Sequence, residues 1–193
     1  MFTSLHGGAA LQDQVQYYDV LSLIKAHNVT AVIIQEQSFF LAIGQAWAQQ
    51  ATYPAASEIV QAVKSQKPSQ KVILFETWGY LSGDVGHYGL GDTFESMQAR
   101  LETGYDDLAQ YLGNGVQVCH IGSGPWSLAY QALGSKANLL YVDYEHPSPL
   151  GTYVAALGFF KHLFNKTATR YIPPGLSKGD ARMAHQWVYE SSP

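Results

Sequence analysis

The run Asp143-Tyr-Glu-His146-Pro147-Ser148 carries the sharpest chemical signal in the chain. A carboxylate three residues ahead of a histidine can hydrogen-bond one imidazole nitrogen. That fixes the tautomer and leaves the other nitrogen free as a general base. Pro147 biases His146 toward extended backbone, so a helix starting near residues 148–150 does not absorb the pair. The same spacing can also arise from a helix-capping Asp beside a surface His. A second copy, Asp84-Val-Gly-His87, follows no nearby apolar run, and there the spacing reads as incidental. Asp143 and His146 differ in leaving directly from the apolar run Leu139-Leu-Tyr-Val142.

The elements that must position this pair alternate along the chain. Residues 11–27 place Leu11, Val15, Tyr18, Leu21 and Ile24 at helical spacing. Residues 29–34 are a β-branched run without polar alternation, suited to a parallel strand covered on both faces. A helix is expected over 53–63, with Pro54 in its first turn, and a buried strand over 71–75. After the Gly-rich stretch 79–92, Thr93 is placed to cap a long helix over 94–112. A strand over 116–121, a short helix over 127–133, a short fourth strand over 139–142 and a helix over 150–164 follow. The Pro173-Pro174-Gly175 break precedes a last helix over 178–189. Such alternation implies right-handed crossovers and a parallel sheet with helices on both faces. Function in such sheets gathers at the carboxyl ends of the strands. Those ends are residues 35–38, 76–78, 122–124 and 143–146, all polar or Gly-rich.

Composition narrows the class. At 193 residues one domain is the default, and a chain of that length buries a core without staples. Eleven basic against fifteen acidic residues give a net charge of −4, which argues against a nucleic-acid partner held by phosphate neutralisation. Apolar residues make up 47% and charged residues 13%, the opposite of a disordered chain. The single Cys119 excludes an internal disulfide and a multi-cysteine metal site. No apolar run has the length of a membrane span, and the first residues lack a signal-peptide layout. Asn28-Val-Thr30 and Asn165-Lys-Thr167 match the glycosylation pattern, so the compartment stays open.

The stretch from Val142 to Ala156 resembles the last block of the SGNH (GDSL-like) esterases, in which Asp-x-x-His-Pro opens the final helix. Further pieces point to one branch of that superfamily, in matching order: Ile33-Ile-Gln-Glu-Gln-Ser38, Leu74-Phe-Glu-Thr-Trp78, residues 94–105, and Val118-Cys-His-Ile-Gly122 with Trp126. The resemblance runs from about Gly7 to the end of the chain. It implies an α/β three-layer sandwich with a parallel sheet, its first strand missing or irregular. It implies a cofactor-free hydrolysis of a small-molecule or glycan ester. His146 would be the general base and Asp143 its orienting carboxylate. Gln35 sits where relatives place an oxyanion-binding Asn, and Gly8, or equally Gly7, where they place the glycine whose N–H serves the same oxyanion. Trp78 falls at the strand-end rim as a substrate contact.

The family's opening block, a strand running into Gly-(Asp/Asn)-Ser, has no counterpart in this sequence. Ser4 has no strand before it and no adjacent glycine. Ser38 belongs to the third block, and Gly122-Ser-Gly124 is not the full G-x-S-x-G elbow. The expectation is the N-terminally truncated back portion of a longer esterase, or a product that cannot carry out acyl transfer by that route.

Two rivals start from other residues. Asp84, His87, His120, Asp143 and His146 could supply metal ligands, although no short ligand spacing joins them and the expected metal set is none. Thirteen Tyr and four Trp could instead make a non-catalytic carbohydrate-binding module, with Trp78, Tyr80 and Trp126 on the rim.

Overall fold

A computed structural model describes residues 1–84, 92–113, 115–169 and 171–190. The chain divides into two compact units, Met1–Glu76 with Arg100–Val118, and Thr77–Ala99 with Cys119–Pro193.

The first unit holds a three-stranded parallel sheet in the order β1-β2-β3, formed by Ala31–Ile34, Lys71–Glu76 and Val116–His120. The last two residues of β3 belong to the second unit. β1 and β2 align Ala31 with Lys71 through Ile34 with Leu74. β2 buries Val72, Ile73 and Leu74 almost completely, as its unbroken apolar run requires. β1 departs from the expectation of two covered faces. It is one of the two edge strands of this sheet as described, and Ile33 is 47% exposed while Ile34 is buried.

Helices α1 (Leu11–Gln16) and α2 (Val20–Ala26) replace the single helix expected over 11–27. The break falls at Tyr17, whose φ of −118° ends α1, and Asp19 opens α2. A short α3 (Gln45–Gln50), which the periodicity does not announce, begins after Gly44 at φ 132°. α4 (Thr52–Gln66) turns Ile59 and Val63 inward. α5 (Phe94–Leu112) begins at Thr93, whose hydroxyl accepts from the Ser96 amide at 3.3 Å, the cap that the sequence suggests.

The second unit is largely helical. After β3 the chain makes a wide turn through residues 122–126 and enters α6 (Ser127–Leu133). The fourth strand expected over 139–142 does not form. Gly134, at φ +54°, ends α6, and Gly134–Leu140 winds as a tight three-residue-per-turn helix. Ala137 and Leu140 are buried three residues apart, the period of that helix, whereas Leu139 is 46% and Val142 67% exposed. A consecutive apolar run misleads here, because its exposed members Leu139 and Val142 flank the buried pair Leu140 and Tyr141 rather than alternating with them. What remains of extended structure is one antiparallel bridge between Tyr141 and Pro147.

α7 (Pro149–Phe164) begins two residues beyond the bridge. Ser148 caps it by accepting from the Gly151 amide at 3.1 Å, and Pro149 occupies the first turn. Asn165 closes it in the left-handed conformation at φ 50°. α8 (Lys178–His185) packs back on α7, and Trp126, Leu140, Tyr141, Leu150, Val154 and Trp187 form the core of this unit. Among the described residues no helix is long and apolar enough to cross a membrane.

Gly151 is the point where α7 meets that core most closely. A Cβ there would fall on the Leu140 carbonyl oxygen and on the Trp126 ring. Gly151→Ala should therefore destabilise the protein by about 1–3 kcal/mol, the usual cost of overpacking. Urea denaturation measures it, and an unchanged midpoint would show that α7 does not sit against Trp126 as described.

Candidate active site

Residues 141–147 form a closed loop. The Val142 amide donates to the His146 carbonyl at 3.0 Å, and the Ser148 amide donates to the Leu140 carbonyl at 2.8 Å. Asp143 organises the interior of this loop. Its Oδ1 accepts from the backbone amides of Glu145 and His146, both at 2.8 Å. This is a side-chain-capped turn of the kind Asp favours. Its Oδ2 lies 2.8 Å from His146 Nδ1. A carboxylate only accepts, so Nδ1 carries the proton and donates, which leaves Nε2 as the free basic nitrogen of the neutral ring.

The side chains of His146 and Asp143 are 65% and 50% exposed. The Asp143 carboxyl is held well below the usual carboxylate range, first by the His146 amide, then by the Glu145 amide and the His146 ring. His146 is pushed above its ordinary value, chiefly by its hydrogen bond to Asp143. Glu145 Oε1 adds a weaker attraction at 3.7 Å from Nδ1. Among the described residues, these two carboxylates are the hydrogen-bond and ion-pair partners of the imidazole.

The loop rests on aromatic side chains of the same unit. Trp78 is half-buried and stacks on Trp126 with ring centroids 3.9 Å apart and planes 8° from parallel. Its indole N–H donates to the Glu145 carbonyl at 3.0 Å. The Leu81 amide donates to the Tyr144 carbonyl at 2.8 Å. Beneath them, Trp126 Nε1 donates to the Tyr141 hydroxyl at 3.0 Å, which donates to the Gly79 carbonyl at 2.8 Å. Burial raises the Tyr141 hydroxyl pKa far above its ordinary value, so it remains a donor. Trp126 and Tyr80 are 0% and 5% exposed. This corrects their expected place on an accessible rim, since Trp126 is committed to the core through both its ring and its N–H.

Asp143, His146 and Trp78 are thus brought together in the second unit. Gln35 and Gly8 belong to the first. Gln35 is exposed just past β1, and Gly8, at φ 73°, forms an exposed turn with Gly7 that the Ala9 amide closes on the His6 carbonyl. Ser4 donates its hydroxyl to the Gln14 side chain. Asp84 is buried, and His87 lies outside the described residues. His120 is exposed at the end of β3. Among the described residues, no group of three or more His, Cys, Asp and Glu side chains is placed to ligate a metal.

Glu36, to which the sequence assigns no role, is a buried carboxyl of the first unit, 1% exposed, as is Glu76 at 0%. It accepts from the amides of Leu11 and Gln37 at 2.9 and 2.7 Å and from the Thr52 hydroxyl, tying α1 and α4 to the end of β1. Burial raises its pKa against those hydrogen bonds. Its one signal in sequence is a charged residue two positions past a strand.

Comparison with known proteins returns no matching family model, no matching curated protein and no matching solved structure.

Two outcomes follow from these ionisations. Asp143→Asn removes the charge that raises His146, so the NMR titration midpoint of His146 should fall toward about 6.5. The raised imidazole stabilises the fold fully below 6.5 and loses that effect as pH rises through its folded pKa. The lowered carboxyl stabilises it above 3.8 and loses that effect only as pH falls through its own folded pKa. An unshifted midpoint in Asp143→Asn would show that the two side chains are not coupled. For Glu36 the raised pKa means the reverse of the usual carboxylate. Its protonated form contributes stability below 4.5 that is lost as pH rises through the folded value and the group ionises. Glu36→Gln should therefore gain on the parent protein between pH 4 and pH 7 in urea denaturation. A constant difference across that range would contradict it.

Proposed function

We propose that this chain carries the base and its orienting carboxylate of a serine-type ester hydrolase with an SGNH-like three-layer layout, acting on a small-molecule or glycan ester. One observation carries this reading. The 2.8 Å bond from His146 Nδ1 ends on a carboxylate whose other oxygen is already fixed by two backbone amides. A carboxylate bound in this way cannot turn away without opening the loop, so the imidazole is held in one tautomer and orientation. A surface ion pair formed for stability alone contributes little and needs no such arrangement.

In the proposed reaction, His146 Nε2 takes the proton of a serine hydroxyl as its oxygen bonds the ester carbonyl carbon. Asp143 stabilises the imidazolium that forms and itself stays ionised. His146 then returns the proton to the departing alcohol oxygen as the ester C–O bond breaks. Water, activated by the same nitrogen, hydrolyses the acyl-enzyme. The resemblance assigns the oxyanion donors to the Gln35 amide and the Gly8 N–H, and the nucleophile to a Gly-(Asp/Asn)-Ser block ahead of the residues it matches here. The order of elements supports the layout: parallel strands each followed by a helix, with Asp-x-x-His-Pro leading into the last long helix.

The 193 residues should show little or no hydrolysis of p-nitrophenyl acetate, and supplying a strand with Gly-(Asp/Asn)-Ser, fused ahead of Met1, should bring turnover. His146→Ala should then cost about a million-fold in kcat, and Asp143→Asn about ten-thousand-fold. Because the base must be neutral, kcat/KM should climb with pH through a midpoint above 6.5. Turnover that survives His146→Ala would end the assignment.

A further inference from the structure

We infer that Trp78 is a positioning residue for the Asp143–His146 pair: with the Leu81 amide it clamps the carbonyls of the two residues between them, and so sets the loop on which the imidazole is oriented. This rests on the proposed function for its catalytic meaning, although the clamp itself is a property of the second unit.

The geometry is specific. The loop 143–146 presents its carbonyls and amides in two opposed directions. Its amides at 145 and 146 turn inward to Asp143 Oδ1. Its carbonyls at 144 and 145 turn outward and are met by the Leu81 amide at 2.8 Å and the Trp78 indole N–H at 3.0 Å. Two consecutive peptide units are thereby gripped from both sides. Peptide rotation at either one would break a bond on each side, so loss of an outer bond frees the inner ones.

The segment that makes the outer grip is itself anchored at every residue. Trp78 lies flat on the fully buried Trp126. The Gly79 amide donates to Gln98 Oε1 at 2.8 Å, and its carbonyl accepts from Tyr141. A Cβ at Gly79 would press on the backbone of Phe94, so the close approach to α5 depends on glycine there. The Tyr80 amide points at the Met97 sulfur at 3.3 Å, and the Leu81 carbonyl accepts from the Tyr130 hydroxyl at 3.0 Å. A side chain kept only to fill the core would not need its one polar atom aimed at the loop. Trp carries a single donor and no acceptor, so a carbonyl is the partner its indole requires.

The test uses the full 193-residue chain and needs no turnover. Trp78→Phe keeps a ring to stack on Trp126 and removes the donor. The isosteric benzothienyl analogue of tryptophan, placed at 78, removes only the N–H and serves if the Phe variant does not fold. The charged groups facing the imidazole are Asp143 and Glu145, and both stay in place in each variant. With the far-UV spectrum preserved, the His146 titration midpoint should move from its raised value toward the one measured in Asp143→Asn. Amide exchange at Glu145 and His146 should quicken about fivefold, the equivalent of one lost hydrogen bond. A merely structural Trp78 would leave both unchanged in a folded variant. That result would overturn the clamp while leaving the Asp143–His146 pair intact. If the parent His146 already titrates as it does in Asp143→Asn, the pair is uncoupled, and the clamp and the proposed function fall together.

Discussion

The division of labour between the two oxygens of Asp143 is the constraint on which the orientation of His146 depends. One oxygen is taken up by the amides of Glu145 and His146, and the other holds the imidazole. The first task builds the turn, and the second uses the turn as a fixture. The same short run therefore closes a loop, orients a base and delivers the chain into α7. Ser148 follows at once, donating to the Leu139 carbonyl at 2.6 Å while capping the new helix. Between Leu139 and Gly151 there is little slack, and the placement of His146 is inherited from two buried anchors, Leu140 and Leu150.

This arrangement separates a rigid support from an accessible tip. Leu140, Tyr141, Trp126 and Val154 are buried, and the residues from Val142 to His146 are all exposed. Aromatic rings suit the support, because each combines a large apolar face with one polar atom that must find a partner. Trp126 satisfies its N–H on Tyr141, Tyr141 on Gly79, and Trp78 on Glu145. Two of these bonds fix backbone at or beside the tip, that of Tyr141 at Gly79 and that of Trp78 at Glu145. In the first unit Glu36 performs a comparable structural task with a carboxyl, but inside the protein, where its ionised form is penalised by burial. The contrast between Glu36 and Asp143 is one of environment: the same functional group, similarly served by amides, is raised in one place and lowered in the other.

How much of this was legible follows from the range of the forces involved. β2 and α5 were readable because each is decided locally, by an unbroken apolar run and by a cap followed by helical periodicity. The Asp143–His146 contact was readable for the same reason, since a three-residue spacing with Pro147 behind it leaves the side chains few places to go. The run 139–142 is not legible in this way, because strand and tight helix can share an apolar composition, and only tertiary packing, which buries Leu140 and Tyr141 and leaves Leu139 and Val142 exposed, separates them. Trp78 was visible as an aromatic at a strand end, but its partner lies 67 residues away, and no local rule pairs an indole N–H with the Glu145 carbonyl. Trp126 looked like a rim aromatic for the same reason. The distinction between a side chain that faces a ligand and one that faces the core is made by tertiary packing, which composition does not carry.

The exposure of the pair bears on how it can act. An imidazole open to water owes its raised basicity to Asp143 and loses a little of it to desolvation. In that state the carboxylate's attraction is screened by solvent, and the base is a modest one. In the proposed reaction, covering the ring with a substrate would change two effects in opposite senses. Removal of water disfavours the imidazolium, which lowers the pKa, while the lower local dielectric strengthens the attraction of a carboxylate that cannot move. The second effect grows when proton transfer creates the charge, because Asp143 needs no reorganisation to meet it. A loosely held carboxylate would have to be reoriented at that moment. The two backbone amides on Asp143 Oδ1 are what make the difference, and they depend in turn on the peptide units of residues 144 and 145 staying where the second unit holds them.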